Sequence, residues 1–264
     1  MSFWTKLFFW KKKKKTKPAP TPVVTGGMRA VERAITAHEI EQKALKVTGA
    51  FEGKGYDQVT DNFDGQFLSL GWAQWCLGQG SLQEKILRPY FNVNTPANFY
   101  EEILERVSKM NKKEGCSLFS KNFLTGKRFN TAGKIALESF VKKTRAFQDE
   151  ALKELLGRAW GYCNQYGMNS ETSFMFFFDI CVQNGSIKKF TIPEKYNHLS
   201  LINQVSHSAN RNTWKSLPVT EEQKKLIYLL DRRAVRNKWF QDVLNRKLTI
   251  IMKRGWVHGD YFEL

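Results

Sequence analysis

The stretch Ser170 to Asn184 carries Phe174, Met175, Phe176, Phe177, Phe178, Ile180 and Val182 and closes on Gly185. Its apolar residues leave no polar stripe, so a helix here is covered on every side and belongs at the centre of a globule. It falls short of the ~20 apolar residues that cross a membrane. Asp179 interrupts it, and a carboxylate in such surroundings requires a partner such as an arginine or a backbone donor. With 42% hydrophobic and 14% aromatic residues, a chain of 264 residues has the material to surround such a helix and is not disordered.

Helical spacing recurs on both sides of this element. From Met28 to about Phe51, residues Val31, Ile35, Leu45, Thr48 and Phe51 share a face, with a break near His38. Ser81 and Glu84 form a capping-box pattern opening a helix to about Tyr90, and Thr95-Pro96 opens another through Phe99, Ile103, Val107 and Met110. Residues 111–130 are rich in Lys, Gly and Asn and read as loop, and 186–198 as irregular. Further helices are predicted near 131–143, 145–165, 199–209, 219–230 and 232–250. Tyr56 to Val59 and Phe67 to Leu70 read as the strands of a hairpin whose loop carries Asn62 and Asp64-Gly65. The expected fold is mainly α, of the α+β kind: a helical bundle around a central apolar helix, with one small β-hairpin beside a cleft. It occupies residues 28–264, behind a basic aromatic segment and Pro-rich linker at 1–27.

Phe51 to Leu82 gathers the carboxylates Glu52, Asp57, Asp61 and Asp64 in a chain whose net charge is +17. Glu52 ends a helical pattern, and the three aspartates lie in a turn-rich segment, so two carboxylates can face each other across a cleft. Cleaving a glycosidic bond needs one protonated carboxylic acid for the leaving oxygen and one ionised carboxylate to attack or to activate water. Glu52 and Asp64 are the candidates; local turn hydrogen bonding is the competing explanation for the aspartates. Phe67, Leu68, Leu70, Trp72, Trp75 and Leu77 alternate there with Ser69, Gln74 and Gln79, and stacking faces beside amides suit a sugar.

Other chemistries find less support. Cys76, Cys116, Cys163 and Cys181 are scattered without a Cys-x-x-Cys pair or a histidine at ligand spacing, so no metal site is expected, and nothing calls for a cofactor. His38, His198, His207 and His258 are far apart, no nucleophile elbow accompanies them, and His258 reads as structural. No nucleic-acid motif accompanies the positive charge. Phe3, Trp4, Leu7, Phe8, Phe9 and Trp10 precede Lys11 to Lys15, the reverse of a secretory signal. Residues 2–17 are therefore expected to be an uncleaved segment that meets an anionic membrane surface, or else a solubilising tail.

Phe51 to Leu82, Phe178 to Gly185, and Asp242 to Ile250 with Gly255 to Gly259 resemble lysozyme-like proteins of phage and bacteria, of the endolysin type. The resemblance runs through residues 28–264 and implies the architecture shared by chitosanases and phage lysozymes. It implies Glu52 as general acid, Asp64 eight residues after Tyr56 as base, and Ser69 as the hydroxyl that holds the attacking water. Tyr56, Asp61, Gln66, Trp72, Gln74, Trp75 and Gln79 become the expected substrate contacts, with Asp61 a rival for the second carboxylate. The chain departs from the chitosanase pattern at Gly53, at Gln66-Phe67 in place of an Arg-Gly pair, and at Gln74 in place of a glycine. The expected activity is therefore cleavage of peptidoglycan glycan strands at the bacterial envelope, by a monomer made in the cytoplasm. The rivals are a non-catalytic envelope-binding protein on the same scaffold and a chitosanase-like enzyme.

Overall fold

The computed structural model describes residues 35–52, 55–187, 191–192, 218–234 and 240–264. Residues 1–27 and the helix predicted at 199–209 lie outside them. In chain order the elements are α1 (Ala37–Glu52), β1 (Val59–Thr60), β2 (Ser69–Leu70), β3 (Trp75–Cys76), α2 (Arg88–Phe91), α3 (Phe99–Lys109), α4 (Lys112–Phe123), β4 (Leu124–Thr125) and β5 (Arg128–Phe129). There follow α5 (Thr131–Lys143), α6 (Arg145–Tyr166), α7 (Glu171–Gln183), α8 (Glu221–Ala234), α9 (Phe240–Ile251), β6 (Arg254–Val257) and β7 (Asp260–Glu263).

The apolar stretch is the axis of the fold. Every residue of α7 from Thr172 to Cys181 is buried, and α1, α6, α8 and α9 pack around it. Ser170 caps the helix by accepting the Ser173 amide at 3.1 Å. The break expected near His38 is a helix start: the Thr36 hydroxyl accepts the Glu39 amide while the Glu39 carboxylate accepts the Thr36 amide, a reciprocal capping box.

The mainly helical expectation holds, with two corrections. First, residues 111–123 are not loop. Asn111 caps α4 by accepting the Glu114 amide at 3.0 Å, and Cys116, Phe119 and Phe123 bury one face at three- and four-residue spacing. Second, the expected hairpin is a three-stranded antiparallel sheet, β1-β2-β3, in register Thr60↔Ser69 and Ser69↔Cys76. Hairpins β4-β5 and β6-β7 form two separate two-stranded sheets. Ser81, expected as a cap, instead accepts the Cys76 amide at 2.9 Å, and so ties β3 to the π-helical segment Gln83–Leu87 that leads into α2.

Candidate active site

The site residues lie where the last turn of α1 meets the small sheet. Trp72, in the turn between β2 and β3, is 8% exposed and lies across α1 at Gly49, where a β-carbon would stand 2.8 Å from the indole Nε1. Its ring also faces Phe178 of α7, with centroids 6.0 Å apart. This contact seats the sheet against the helix end whose final residue is Glu52. The Glu52 side chain itself lies outside the described residues.

The turn carrying the aspartates is held from within. The Asn62 side chain accepts the Phe67 amide at 2.8 Å, Asp64 Oδ1 accepts the Gln66 amide at 3.1 Å, and the 3-10 turn Asn62–Asp64 ends on Gly65 at φ 87. Phe67 takes φ 64, a conformation that L-residues seldom adopt, and so redirects the chain into β2. Gln148 of α6 locks the other side of the sheet: its carboxamide donates to the Tyr56 carbonyl at 3.0 Å and accepts the Trp72 amide at 3.1 Å. Gly71, at φ 75, is required there, because a β-carbon would fall inside that carboxamide.

Within this frame the three aspartates differ. Asp61 accepts from Arg128 of β5 at 3.1 Å with its side chain 15% exposed. Asp57 and Asp64 are exposed, and Asp64 forms no ion pair among the described residues. A base that activates water needs an unneutralised carboxylate open to solvent, and Asp64 fits that requirement better than Asp61. Ser69 pairs across the sheet with Thr60 and Cys76 and lies on the face of β2 opposite Leu70, where it too is buried, at 8% exposure.

The remaining expected contacts divide. Tyr56 lies under the Arg145 guanidinium at 4.6 Å. Burial, reinforced by a hydrogen bond with Asp149, pushes its hydroxyl up to about 12, so it stays a donor at neutral pH. Gln66 Oε1 is buried without a partner among the described residues, and Gln79 is exposed. Gln74 is occupied structurally, donating to the Gly71 carbonyl at 2.7 Å and accepting from Thr60 at 3.1 Å. Trp72 and Trp75, at 8% and 5% exposure, turn their rings into the core, so neither offers an open stacking face.

Behind the end of α1 lies a buried charge cluster, of which the sequence marked Asp179 as needing a partner and His258 as structural. Arg246 of α9 grips Asp179 through Nε at 2.8 and 3.0 Å and through Nη2, and the Lys247 ammonium binds the same carboxylate. Burial pushes the Asp179 carboxyl up, but the two cations outweigh it and hold it below its ordinary range. Lys247 also donates to Gln183 at 2.6 Å, Gln183 to Asp242 at 2.7 Å, and Asp242 meets His258. Arg246 lies 5.4 Å from the Phe51 ring centroid, and His258 Nδ1 is 3.1 Å from the Phe51 carbonyl, so the cluster fixes the backbone one residue before Glu52. In the sequence the basic side of the cluster shows only as Arg246-Lys247 among Val243, Leu244, Leu248, Ile250 and Ile251.

All four cysteines are buried and free; burial lifts the Cys163 thiol to about 12 and Cys181 to about 11, which leaves them inert at neutral pH. No group of metal-ligating side chains occurs among the described residues, and no described helix is long and apolar enough to cross a membrane.

No protein-family profile matches the sequence, and no curated protein matches it. Solved structures do. The GH46 chitosanase of Gynuella sunshinyii, in complex with chitotetraose, aligns over 85% of this chain and 97% of its own with a TM-score of 0.53 at 15% identity. A chitosanase from Bacillus subtilis MY002, complexed with 6 GlcN, aligns over 85% of this chain and 98% of its own with a TM-score of 0.49 at 17% identity. At the 15% identity of the Gynuella protein the likeness is one of fold: the chain has the helix-rich, lysozyme-like architecture of the GH46 chitosanases.

Proposed function

We propose that the protein is a glycoside hydrolase that cleaves the glycan strands of bacterial peptidoglycan. The observation that carries this reading is Asp64, a solvent-facing carboxylate without an ion-pair partner among the described residues, held on a rigid turn. The sheet bearing it is seated against the helix that ends in Glu52. In this reading Glu52 protonates the glycosidic oxygen and Asp64 takes a proton from a water oriented by Ser69, so that the water oxygen forms the new bond as the old one breaks. The fold shared with a chitotetraose-binding enzyme supports a glycan substrate. The charge of +17 supports an anionic one, since a cationic surface concentrates polyanions.

Clearing of purified cell walls by the wild type beside Glu52→Gln tests the proposal, with chitosan as a second substrate. Loss of the general acid is expected to slow clearing by ~10²-fold or more. Equal clearing by a folded Glu52→Gln protein would remove Glu52 from the mechanism. Binding of walls without turnover by the wild type would make the chain an envelope-binding protein. Turnover of chitosan alone would favour the chitosanase reading, which the fold likeness to a chitotetraose-bound enzyme supports.

Action at the envelope is part of the proposal, with residues 2–17 as the contact to anionic lipid. Deletion of residues 2–17 is expected to spare hydrolysis of isolated walls and to reduce co-sedimentation with anionic vesicles at low salt. Equal co-sedimentation would make the segment a tail.

A further inference from the structure

A groove of about 590 Å³ opens between α4 and the turns that follow Asp64. One wall is Phe67 and Gly78; the other is α4, which contributes Lys112, Lys113, Lys121 and Ser117. Phe67 belongs to the same internally bonded turn as Asp64, through Asn62 and the Gln66 amide, so groove and carboxylate share one rigid element.

Among the described residues, some lysines of the helical surface are neutralised and others, among them Lys46, Lys142 and Lys225, are not; what sets the groove lysines apart is that three unneutralised ones share one concavity. Lys85, Lys109, Lys143, Lys153 and Lys224 each meet a glutamate. Lys112, Lys113 and Lys121 form no ion pair among the described residues, and Glu114, the acidic residue of the first turn of α4, does not line the groove. Three unneutralised ammonium groups around one concavity repel one another in the empty protein, and an anion relieves that repulsion.

We propose that this groove is a substrate subsite for carboxylates, and that Lys112, Lys113 and Lys121 make the protein select a carboxylate-bearing glycan over a polyamine such as polyglucosamine. The inference rests on the reading of the protein as a glycan hydrolase and specifies its substrate class. The ammonium groups of polyglucosamine would meet like charge here. The acidic substituents of peptidoglycan strands, which carry lactyl ethers and peptide carboxylates, would meet opposite charge, with Phe67 packing against the sugar or its side chain.

The test compares wild type with the triple variant Lys112→Gln, Lys113→Gln, Lys121→Gln, and with a charge-matched control, Lys127→Gln, Lys142→Gln, Lys225→Gln, whose exposed lysines lie outside the groove. Each is assayed on native walls and on walls whose carboxylates have been amidated. The groove variant is expected to show about a tenfold or larger rise in KM on native walls with kcat kept, and to treat the two kinds of wall alike. Wild type and control should both prefer native walls. Co-sedimentation with insoluble walls, which requires no turnover, separates the two readings. If the wild type turns nothing over but its binding falls on amidation and in the groove variant, the subsite stands and the hydrolase reading fails. If the groove variant binds and prefers native walls as the control does, the subsite is wrong whatever the turnover.

Discussion

His258 Nε2 stands 2.7 Å from the Asp242 carboxylate, while the other ring nitrogen faces the Phe51 carbonyl at 3.1 Å. Both partners are acceptors, so both ring nitrogens must donate, and the ring that satisfies them is the imidazolium. The hydrogen bond to Asp242 raises the His258 pKa above its ordinary 6.5, against burial. Burial pushes Asp242 up, but His258, with Arg246 and Lys247 behind it, brings it below 3.8.

The signs define a pH window. A raised histidine pKa stabilises the fold fully below 6.5 and loses that contribution as pH rises through the folded value. A depressed aspartate pKa stabilises fully above 3.8 and loses that contribution as pH falls through the folded value. The pair should therefore contribute most between those limits. As pH rises through the raised His258 value the neutral ring can satisfy only one of its two acceptors, and the end of α1 loosens next to Glu52. Asp242→Asn should lower the His258 pKa seen by NMR titration and flatten the alkaline limb of the stability profile. An unchanged His258 titration would show that Asp242 does not set it.

A second prediction concerns Asp179, whose partners Arg246 and Lys247 are 1% and 0% exposed. Asp179→Asn leaves two cations in the core with one uncharged acceptor side chain between them. Removing one member of a buried ion cluster typically costs ~3–5 kcal/mol, which urea unfolding would register as a lowered midpoint with an unchanged slope. Asp179→Asn with Arg246→Met should recover part of the loss by removing one of the stranded charges. A single variant as stable as wild type would mean that water reaches the cluster.

Trp72 separates a sugar platform from a packing residue. Its ring lies against Gly49 and Phe178 with 8% of its surface exposed. Trp72→Ala should then cost ~3–5 kcal/mol of stability, and Trp72→Phe a smaller share, with kcat falling because the sheet loses its seat against α1. A platform role makes the opposite forecast: stability retained, KM raised and kcat kept.

The parts of this molecule that the sequence revealed are those whose signal is local and repeated. The run from Phe174 to Val182 is apolar at nearly every position, so the burial of α7 follows without knowing its neighbours. The predicted helix at 131–143 coincides with α5 for the same reason. Helix α4 escaped notice because Lys112, Lys113, Gly115, Lys121 and Asn122 dominate its composition, while its core contacts rest on Cys116, Phe119 and Phe123 alone. Two-residue strands such as β3 offer no alternation to detect. Asp179 announced that it needed a partner, but Arg246 lies 67 residues away, and only the packing of α9 against α7 brings the two together. The candidate site divides in the same way. Its carboxylates were visible as acid in a basic chain, whereas the pairing of Asp61 with Arg128, likewise separated by 67 residues, is a product of tertiary structure.

That pairing gives the last prediction. Asp61 is held by Arg128 at 3.1 Å, and Asp64 is exposed with one oxygen on the Gln66 amide. If Asp64 is the base, Asp64→Asn should lower kcat by ~10²-fold or more, because an amide cannot take the proton from water. KM should change little, since the turn keeps its Asn62 to Phe67 hydrogen bond. Asp61→Asn should act indirectly. It weakens a partly exposed ion pair worth ~1 kcal/mol or less and lets the β4-β5 hairpin drift from the turn, so a modest fall in activity should accompany a small fall in stability. Arg128→Gln should reproduce it, because both changes break the same contact. Should Asp61→Asn abolish turnover while Arg128→Gln and Asp64→Asn leave it intact, Asp61 is the base and its pairing with Arg128 must open when substrate binds.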